Sequence, residues 1–434
     1  MMIRAGTLRN SSAERIPMGQ TISEKIFSSH LNQAVQAGDI VFSPVDLMMT
    51  NDASITTVWE AWKKIPGAAV RDPGKLIVIL DHYCPSPSRE VSRIHQEIRS
   101  FVERHGGTLY PEGEGICHQL IPEKGHALPG QLIIGSDSHT TTYGALNALA
   151  TGVGSTDLAM AMHYGLLWFM VPPSVNFEIR GKVPRGVVAK DIILHIIGRI
   201  SARGANYQAI EFSGETLREI SMEGRLTICN MAVEMGAKAG IMPGDEICRG
   251  WLKGKGVTRF SPVVPDADAC YAASHSFHVS GLEPQIACPH RVDNVQPVSR
   301  VKGEKMGMAF LGTCTNGRLE DLAVAAGILK GRKVHPGMTL VISPASREVT
   351  LESCARGYIQ TLVESGGMLN TPGCGPCVGA LGGVPGDGVN VISTANRNFL
   401  GRMGNTKANI YLSSPATLAA SCITGKITDP REFL

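Results

Sequence analysis

The chain has 434 residues, 43% of them hydrophobic and 18% charged, with a formal net charge of +3. That length exceeds one ordinary hydrophobic core and implies two to four domains. The small net charge, with no dense Lys/Arg run, argues against a nucleic-acid partner; the longest apolar runs, 165–171 and 192–197, are far short of a membrane span. Eleven cysteines, an odd number without regular spacing, argue against a disulfide framework and for a reducing cytoplasmic setting.

Residues 1–18 carry Arg4, Arg9 and Arg15 among serines but also Glu14, and read as a flexible tail or an upstream start rather than a transit peptide. A helix is expected from 21, a short strand and turn over 39–47, and a helix over 55–65. Residues 75–80 (KLIVIL) form a continuous aliphatic run, the pattern of a strand buried on both faces, and end at Asp81-His82. A helix over 92–105 and a strand over 107–110 follow. Another strand, 131–134, ends in Gly135-Ser136-Asp137-Ser138-His139. Residues 144–154 read as a small-residue helix and a glycine turn, and 155–167 as a helix. Strands alternating with helices imply a mostly parallel sheet with chemistry at the carboxyl ends of its strands.

Pro172-Pro173 marks a boundary, so the first α/β unit is placed at 19–172. A second unit, 173–296, has a strand at 175–179, a helix at 189–200 and a turn leading into a helix over 222–236. Asn230 and Glu234, four apart, share one face of that helix. Residues 250–297 look like strands and linker; His275, His278 and Cys288-Pro289-His290 show no paired metal spacing there. The third unit, 297–434, begins with a strand at 306–311 and the Cys314 loop. It continues through helices at 321–329 and 347–365, a strand at 339–343 and a strand at 389–393.

Between these lies TPGCGPCVG, whose Cys374 and Cys377 form a C-x-x-C pair on a turn built by Gly373, Gly375 and Pro376. With Cys314 from the turn-rich GTCTNG segment, three thiolates from two loops can hold an iron–sulfur cluster and leave one iron without a protein thiolate, a Lewis-acid site. Thioredoxin-like exchange through Cys374 and Cys377, a zinc site, and buried structural cysteines are the competing readings of the same residues. Five polar sets accompany the cysteines: Asp81-His82, His118, Asp137-Ser138-His139, Asn230 with Glu234, and the run from Asn396 to Arg402. Taken singly, each is better read as a satisfied loop histidine or a solvated charge.

Taken together, the segments GICHQL, IIGSDSHTTTYGALNALATGVGSTD, GRLTICNMAVEMGAKAGI, LGTCTNGRLEDL, TPGCGPCVG and NRNFLGR resemble the aconitase family, particularly the large subunits of 3-isopropylmalate dehydratase and homoaconitase, from about Met18 to the C-terminus. The resemblance implies an α/β fold of three units with mostly parallel sheets around a central 4Fe–4S cluster. Cys314, Cys374 and Cys377 would ligate that cluster, and one iron would have no protein ligand. It implies that His82, oriented by Asp81, protonates the departing hydroxyl, and that His118 with Asp137 and His139 with Glu234 are further histidine–carboxylate pairs. Asn230 and Asn398 would support the cluster, while Asn51, Ser138, Arg397 and Arg402 would contact substrate, the arginines as forked carboxylate donors. The swivelling fourth domain of aconitases proper is not seen here. The resemblance therefore implies a separate small subunit that carries it, with this chain inactive alone. The substrate class is a small 2-hydroxy di- or tricarboxylate, 3-isopropylmalate by default. Homoaconitate, 2,3-dimethylmalate, maleate and citraconate hydration are alternatives within the family. A thiol redox protein using Cys374 and Cys377 is the alternative outside it.

Overall fold

The computed structural model describes residues 19–434 and, ahead of them, the short strand Gly6–Leu8. That strand pairs antiparallel with Ile40–Pro44, which pairs in turn with Leu166–Met170. The rest of the expected 1–18 tail lies outside the described residues.

Three further sheets carry the architecture, and the α/β reading holds. The first has five parallel strands in the order Thr108–Tyr110, Leu76–Ile79, Leu47–Asn51, Leu132–Gly135, Leu149–Gly152. The second has four parallel strands, Ala239–Ile241, Ala209–Ser213, Ser174–Arg180 and Ala273–His278. The third has seven, with Asn409–Leu412, Asn390–Ser393, Met308–Gly312, Thr339–Ser343 and Gly367–Leu369 parallel. Gln285–Ala287 and Val295–Pro297 extend that third sheet antiparallel, so it draws on chain ahead of residue 297. No helix among the described residues is long and apolar enough to cross a membrane.

The buried runs behave as their composition demands. Leu76–Ile79 is buried at every position, as a central parallel strand must be. Four elements depart from the sequence reading. The central strand Leu47–Asn51 (LMMTN) has little β-branched content, and Leu149–Gly152, read as helix and turn, pairs in register with Leu132–Gly135 instead. The helix expected over 347–365 breaks into Arg347–Ala355 and Tyr358–Glu364 at Gly357, whose φ of 75° is left-handed. The helix carrying Asn230 and Glu234 is α only over Met222–Asn230 and tightens to 3₁₀ over Met231–Met235.

The sheets meet closely. A side chain at Gly144 would lie 1.9 Å from the carbonyl oxygen of Gly240, so the 3₁₀ segment Ser138–Leu146 can abut the second sheet only because Gly144 has none. One apolar core cluster draws residues from all three sheets and contains Cys314, Cys374 and Cys377.

Candidate active site

The carboxyl ends of the first and third sheets converge on one cleft, and the helix of the second sheet closes it. On the third sheet the strand Met308–Gly312 delivers Cys314 through the short helix Thr313–Asn316, and Gly367–Leu369 leads to the 3₁₀ turn Gly375–Val378 that follows Cys374. Gly375 (φ 54°) packs so tightly on the neighbouring strand that a Cβ would sit 2.5 Å from Ser343 Oγ. Cys314, Cys374 and Cys377 are buried, none is in a disulfide, and Cys377 lies within electrostatic reach of both others. Burial pushes the Cys314 thiol up to about 12 and the Cys374 thiol higher.

Side-chain donors surround these sulfurs. Asn230 Nδ2 donates to Cys314 Sγ at 3.2 Å, Asn396 Nδ2 donates to it at 3.5 Å, and an Arg402 Nη2 hydrogen points at Cys377 Sγ from 3.3 Å. Asn396 Oδ1 and Arg402 Nε are buried with no partner among the described residues. Three buried thiols ringed by N–H donors, with orphaned polar atoms beside them, form a donor set that fits a thiolate-held iron–sulfur group.

Asn398 does not belong to that set. Its Nδ2 donates to backbone carbonyls, at 2.9 Å to Cys288 and 3.3 Å to Ala287 and Ile410, so it braces the third sheet. The asparagine of the run that reaches Cys314 Sγ is Asn396, two residues earlier, at a bend just past the strand Asn390–Ser393.

The histidine–carboxylate pairs form as expected. Asp81 Oδ1 accepts from His82 Nδ1 at 2.6 Å, while Asp81 Oδ2 accepts the Cys117 amide at 2.7 Å. The ligand atoms of Asp81, His82 and Cys374 all lie within 4.8 Å of one another, bringing the imidazole against the thiol loop. Burial opposes the charged form of His82, but the charges of Cys374 and Asp81 outweigh it and raise its pKa well above the usual value. His118 Nε2 donates to Asp137 Oδ1 at 3.0 Å, with its Nδ1 3.1 Å from the Tyr143 hydroxyl. His139 Nε2 meets Glu234 Oε1 at 2.9 Å. Burial disfavours the Asp137 carboxylate, yet His118 and His139 hold its pKa well below the usual range.

Arg397 Nε donates to Glu234 Oε1 at 2.9 Å and its Nη2 to Ser138 Oγ at 3.0 Å, so the guanidinium is fixed at the cleft rather than loose in solvent. Asn51, at the end of the central strand of the first sheet, accepts from the Ser54 amide and hydroxyl at 3.1 and 2.9 Å. Its Nδ2 is buried and has no partner among the described residues. His275 and His278 sit apart on the strand Ala273–His278, the first against the Phe177 ring, and form no metal-like grouping among the described residues.

Two functional features escaped the sequence. Asp52 is fully buried and accepts the amides of His82 and Tyr83, each at 3.0 Å, as well as His95 Nε2 at 3.1 Å. Arg318 is buried directly behind Cys314. For Asp52 the only sequence signal was its place one residue past a strand end.

Residues 24–425 match the aconitase family (aconitate hydratase). The chain is 47% identical over 418 residues to 3-isopropylmalate dehydratase large subunit 1 of Methanopyrus kandleri, covering 96% of this chain and 100% of that protein. It is 48% identical over 419 residues to the 3-isopropylmalate dehydratase large subunit of Elusimicrobium minutum, again covering 96% and 100%. It is also 47% identical over 394 residues to a probable methanogen homoaconitase large subunit of Methanosarcina mazei, covering 91% and 100%.

Proposed function

The chain belongs to the aconitase family, and from that premise we propose that it is the large subunit of a two-subunit hydro-lyase acting on a small 2-hydroxy di- or tricarboxylate, 3-isopropylmalate first among them. Its iron–sulfur group is a 4Fe–4S cluster held by Cys314, Cys374 and Cys377, with one iron free of protein ligands. Its partner is a small subunit, and its setting is the cytoplasm, in keeping with eleven free cysteines. Three units contribute to the cleft: the first is 19–172, and the boundary between the other two lies ahead of Gln285 rather than at 297, because Gln285–Ala287 and Val295–Pro297 pair into the third sheet.

When bound, the cluster supplies a Lewis acid that polarises the substrate's C–O bond. The chain's own residues do the rest. Asp81 accepts the Nδ1 hydrogen of His82 at 2.6 Å, which fixes the ring's orientation and favours the imidazolium, and in that form Nε2 carries the second proton. That proton goes to the departing hydroxyl, which leaves as water. Arg397, pinned by Glu234 and Ser138, keeps Nη hydrogens for one substrate carboxylate, and Arg402 faces the same cleft beside Cys377. Asp137 between His118 and His139 holds a fixed negative charge across from His82, with His82 Nε2 3.7 Å from Asp137 Oδ2. The group that removes the carbon-bound proton belongs to the small subunit.

The observation that carries this reading is the meeting of His82 and Asp81, from the first sheet, with Cys374, from the third, within 4.8 Å. The test is anaerobic reconstitution with a small subunit of the swivelling type, followed by a panel of hydroxy acids. Dehydration of 3-isopropylmalate only in the presence of both chains supports the reading. A panel preference for homocitrate moves the substrate assignment, and full turnover by this chain alone overturns the division of labour. A thiol redox activity through Cys374 and Cys377 would instead give an iron-free protein with a reducible disulfide.

A further inference from the structure

Two cations are completely buried behind the Cys314 loop, and neither has a carboxylate within 4.0 Å among the described residues. Arg318 spends its hydrogens on neutral oxygens. Nη2 donates to the carbonyl of Cys314, Nη1 to the carbonyl of Thr315 at 2.5 Å and to Thr227 Oγ1 at 3.2 Å, and Nε to Gln119 Oε1 at 3.0 Å. Lys190, from the helix Ala189–Ile200, donates to the carbonyls of Thr394 and Ala395 at 2.9 and 2.7 Å, just before Asn396. Thr394 Oγ1 in turn accepts the Gly312 amide at 3.0 Å, tying the Asn396 run to the strand that delivers Cys314.

One cation thus grips the backbone that carries Cys314, and the other the backbone just before Asn396, whose side chain reaches Cys314 Sγ. Burying a guanidinium and an ammonium among neutral oxygens is costly unless a negative charge stands close by. Asp321, close by, is engaged elsewhere: its Oδ2 accepts the backbone amide of Arg318 and its Oδ1 accepts Asn316 Nδ2, each at 2.9 Å. Burial pulls Lys190 down to about 7, against the pull of Asp321 and of Cys314 in its thiolate form.

Resting on the iron–sulfur reading above, we propose that Arg318 and Lys190 are positioning residues for the cluster: they hold the Cys314 and Asn396 segments in ligating posture and supply the positive charge that balances three thiolates and their cube. The cluster is then a counter-charge for this buried pair, added to carboxylates such as Asp321 and Glu320 that stand beyond salt-bridge distance. Hydrogen bonding and nearby charge set how readily such a group is reduced and how firmly it is held.

The test compares wild type with Lys190→Met, Arg318→Gln and Arg318→Lys, each reconstituted anaerobically. It reads iron and sulfide per chain, the midpoint potential by paramagnetic-resonance titration, and the rate of cluster loss to a chelator. Removing either charge moves the midpoint to a more negative potential and speeds cluster loss several-fold. Arg318→Lys keeps the midpoint near that of wild type while still speeding loss, since the fork to two carbonyls is gone. The melting temperature of the metal-free Lys190→Met chain does not fall, because an uncompensated buried charge has been removed. A wild-type chain that takes up no cluster sinks the iron–sulfur reading itself. A loaded wild type whose Lys190→Met variant has an unchanged midpoint, with loss of thermal stability alone, overturns only this inference, and Lys190→Met decides if Arg318→Gln does not fold.

Discussion

Asp52 holds His82 by its backbone: one carboxylate oxygen accepts the His82 amide at 3.0 Å, while the other accepts Tyr83 at 3.0 Å and His95 at 3.1 Å. His95 passes the contact on to Glu112 at 2.9 Å, and Glu112 to Arg99. The His82 imidazole is therefore set by two carboxylates, Asp81 through its ring and Asp52 through its main chain.

Asp52→Asn replaces an acceptor of several N–H groups with a weaker one. Partners of this kind are worth about 10- to 100-fold in activity. The expected result is a kcat fall of that size with iron content and KM near wild type. A loss of bound iron with unchanged turnover per cluster would place Asp52 elsewhere in the mechanism.

Cysteine substitutions separate ligands from bystanders. Cys314→Ser, Cys374→Ser and Cys377→Ser each abolish the iron–sulfur absorbance after reconstitution. Cys229→Ala and Cys422→Ala, whose thiols burial pushes up in the apolar core, retain it. Visible spectra and iron analysis on the five variants check the set.

Arg397→Lys keeps a charge but cannot reach Glu234, Ser138 and a substrate carboxylate together. A lost hydrogen bond to a charged group costs about 1.5–3 kcal/mol, roughly 10- to 100-fold. KM for the hydroxy acid should rise within that range, with the cluster spectrum unchanged.

Asn396 and Asn398 give opposite phenotypes. Asn396→Ala removes a donor to Cys314 and loosens the cluster, read as faster bleaching, with the melting temperature of the metal-free chain held. Asn398→Ala leaves buried carbonyls of the third sheet without a donor, a cost of about 1–3 kcal/mol, and lowers that melting temperature first.

The fold class was legible because alternation of aliphatic strands with helices is a composition-level signal, and KLIVIL and the helix Ala189–Ile200 fell where their patterns put them. The strand Leu47–Asn51 was not, since its methionines carry no strand preference and its place at the sheet centre is decided by neighbours. In the site, adjacent pairs such as Asp81-His82 could be read from the chain. Which of Asn396 and Asn398 faces the sulfurs depends on backbone phase, and the bond from Asp52 to His82 spans thirty residues and two strands.

His30 and Asp46 tie the first helix, Ile22–Leu31, to the first sheet at 2.6 Å. Burial opposes both charges, but the mutual hydrogen bond raises His30 above its usual 6.5 and lowers Asp46 below 3.8. The Asp46 share of stability is present above 3.8 and lost as pH falls through its folded value. The His30 share is present below 6.5 and lost as pH rises through its folded value. Chemical denaturation at pH 5.5 and pH 8.5 should show wild type gaining on Asp46→Asn at the lower pH, with the gap narrowing at the higher.

All three candidate sulfur ligands spring from the seven-stranded sheet, whereas His82, His118 and His139 are carried by the five-stranded one. In the proposed reaction, metal loading and proton handling are thus assigned to separate walls of the cleft. A change that loosens the docking of those walls would leave a chain still brown with iron yet unable to deliver its acid. Such a protein, coloured but catalytically silent, is what damage at the seam around Gly115 and Ser346 would produce, where a bridge joins the two halves.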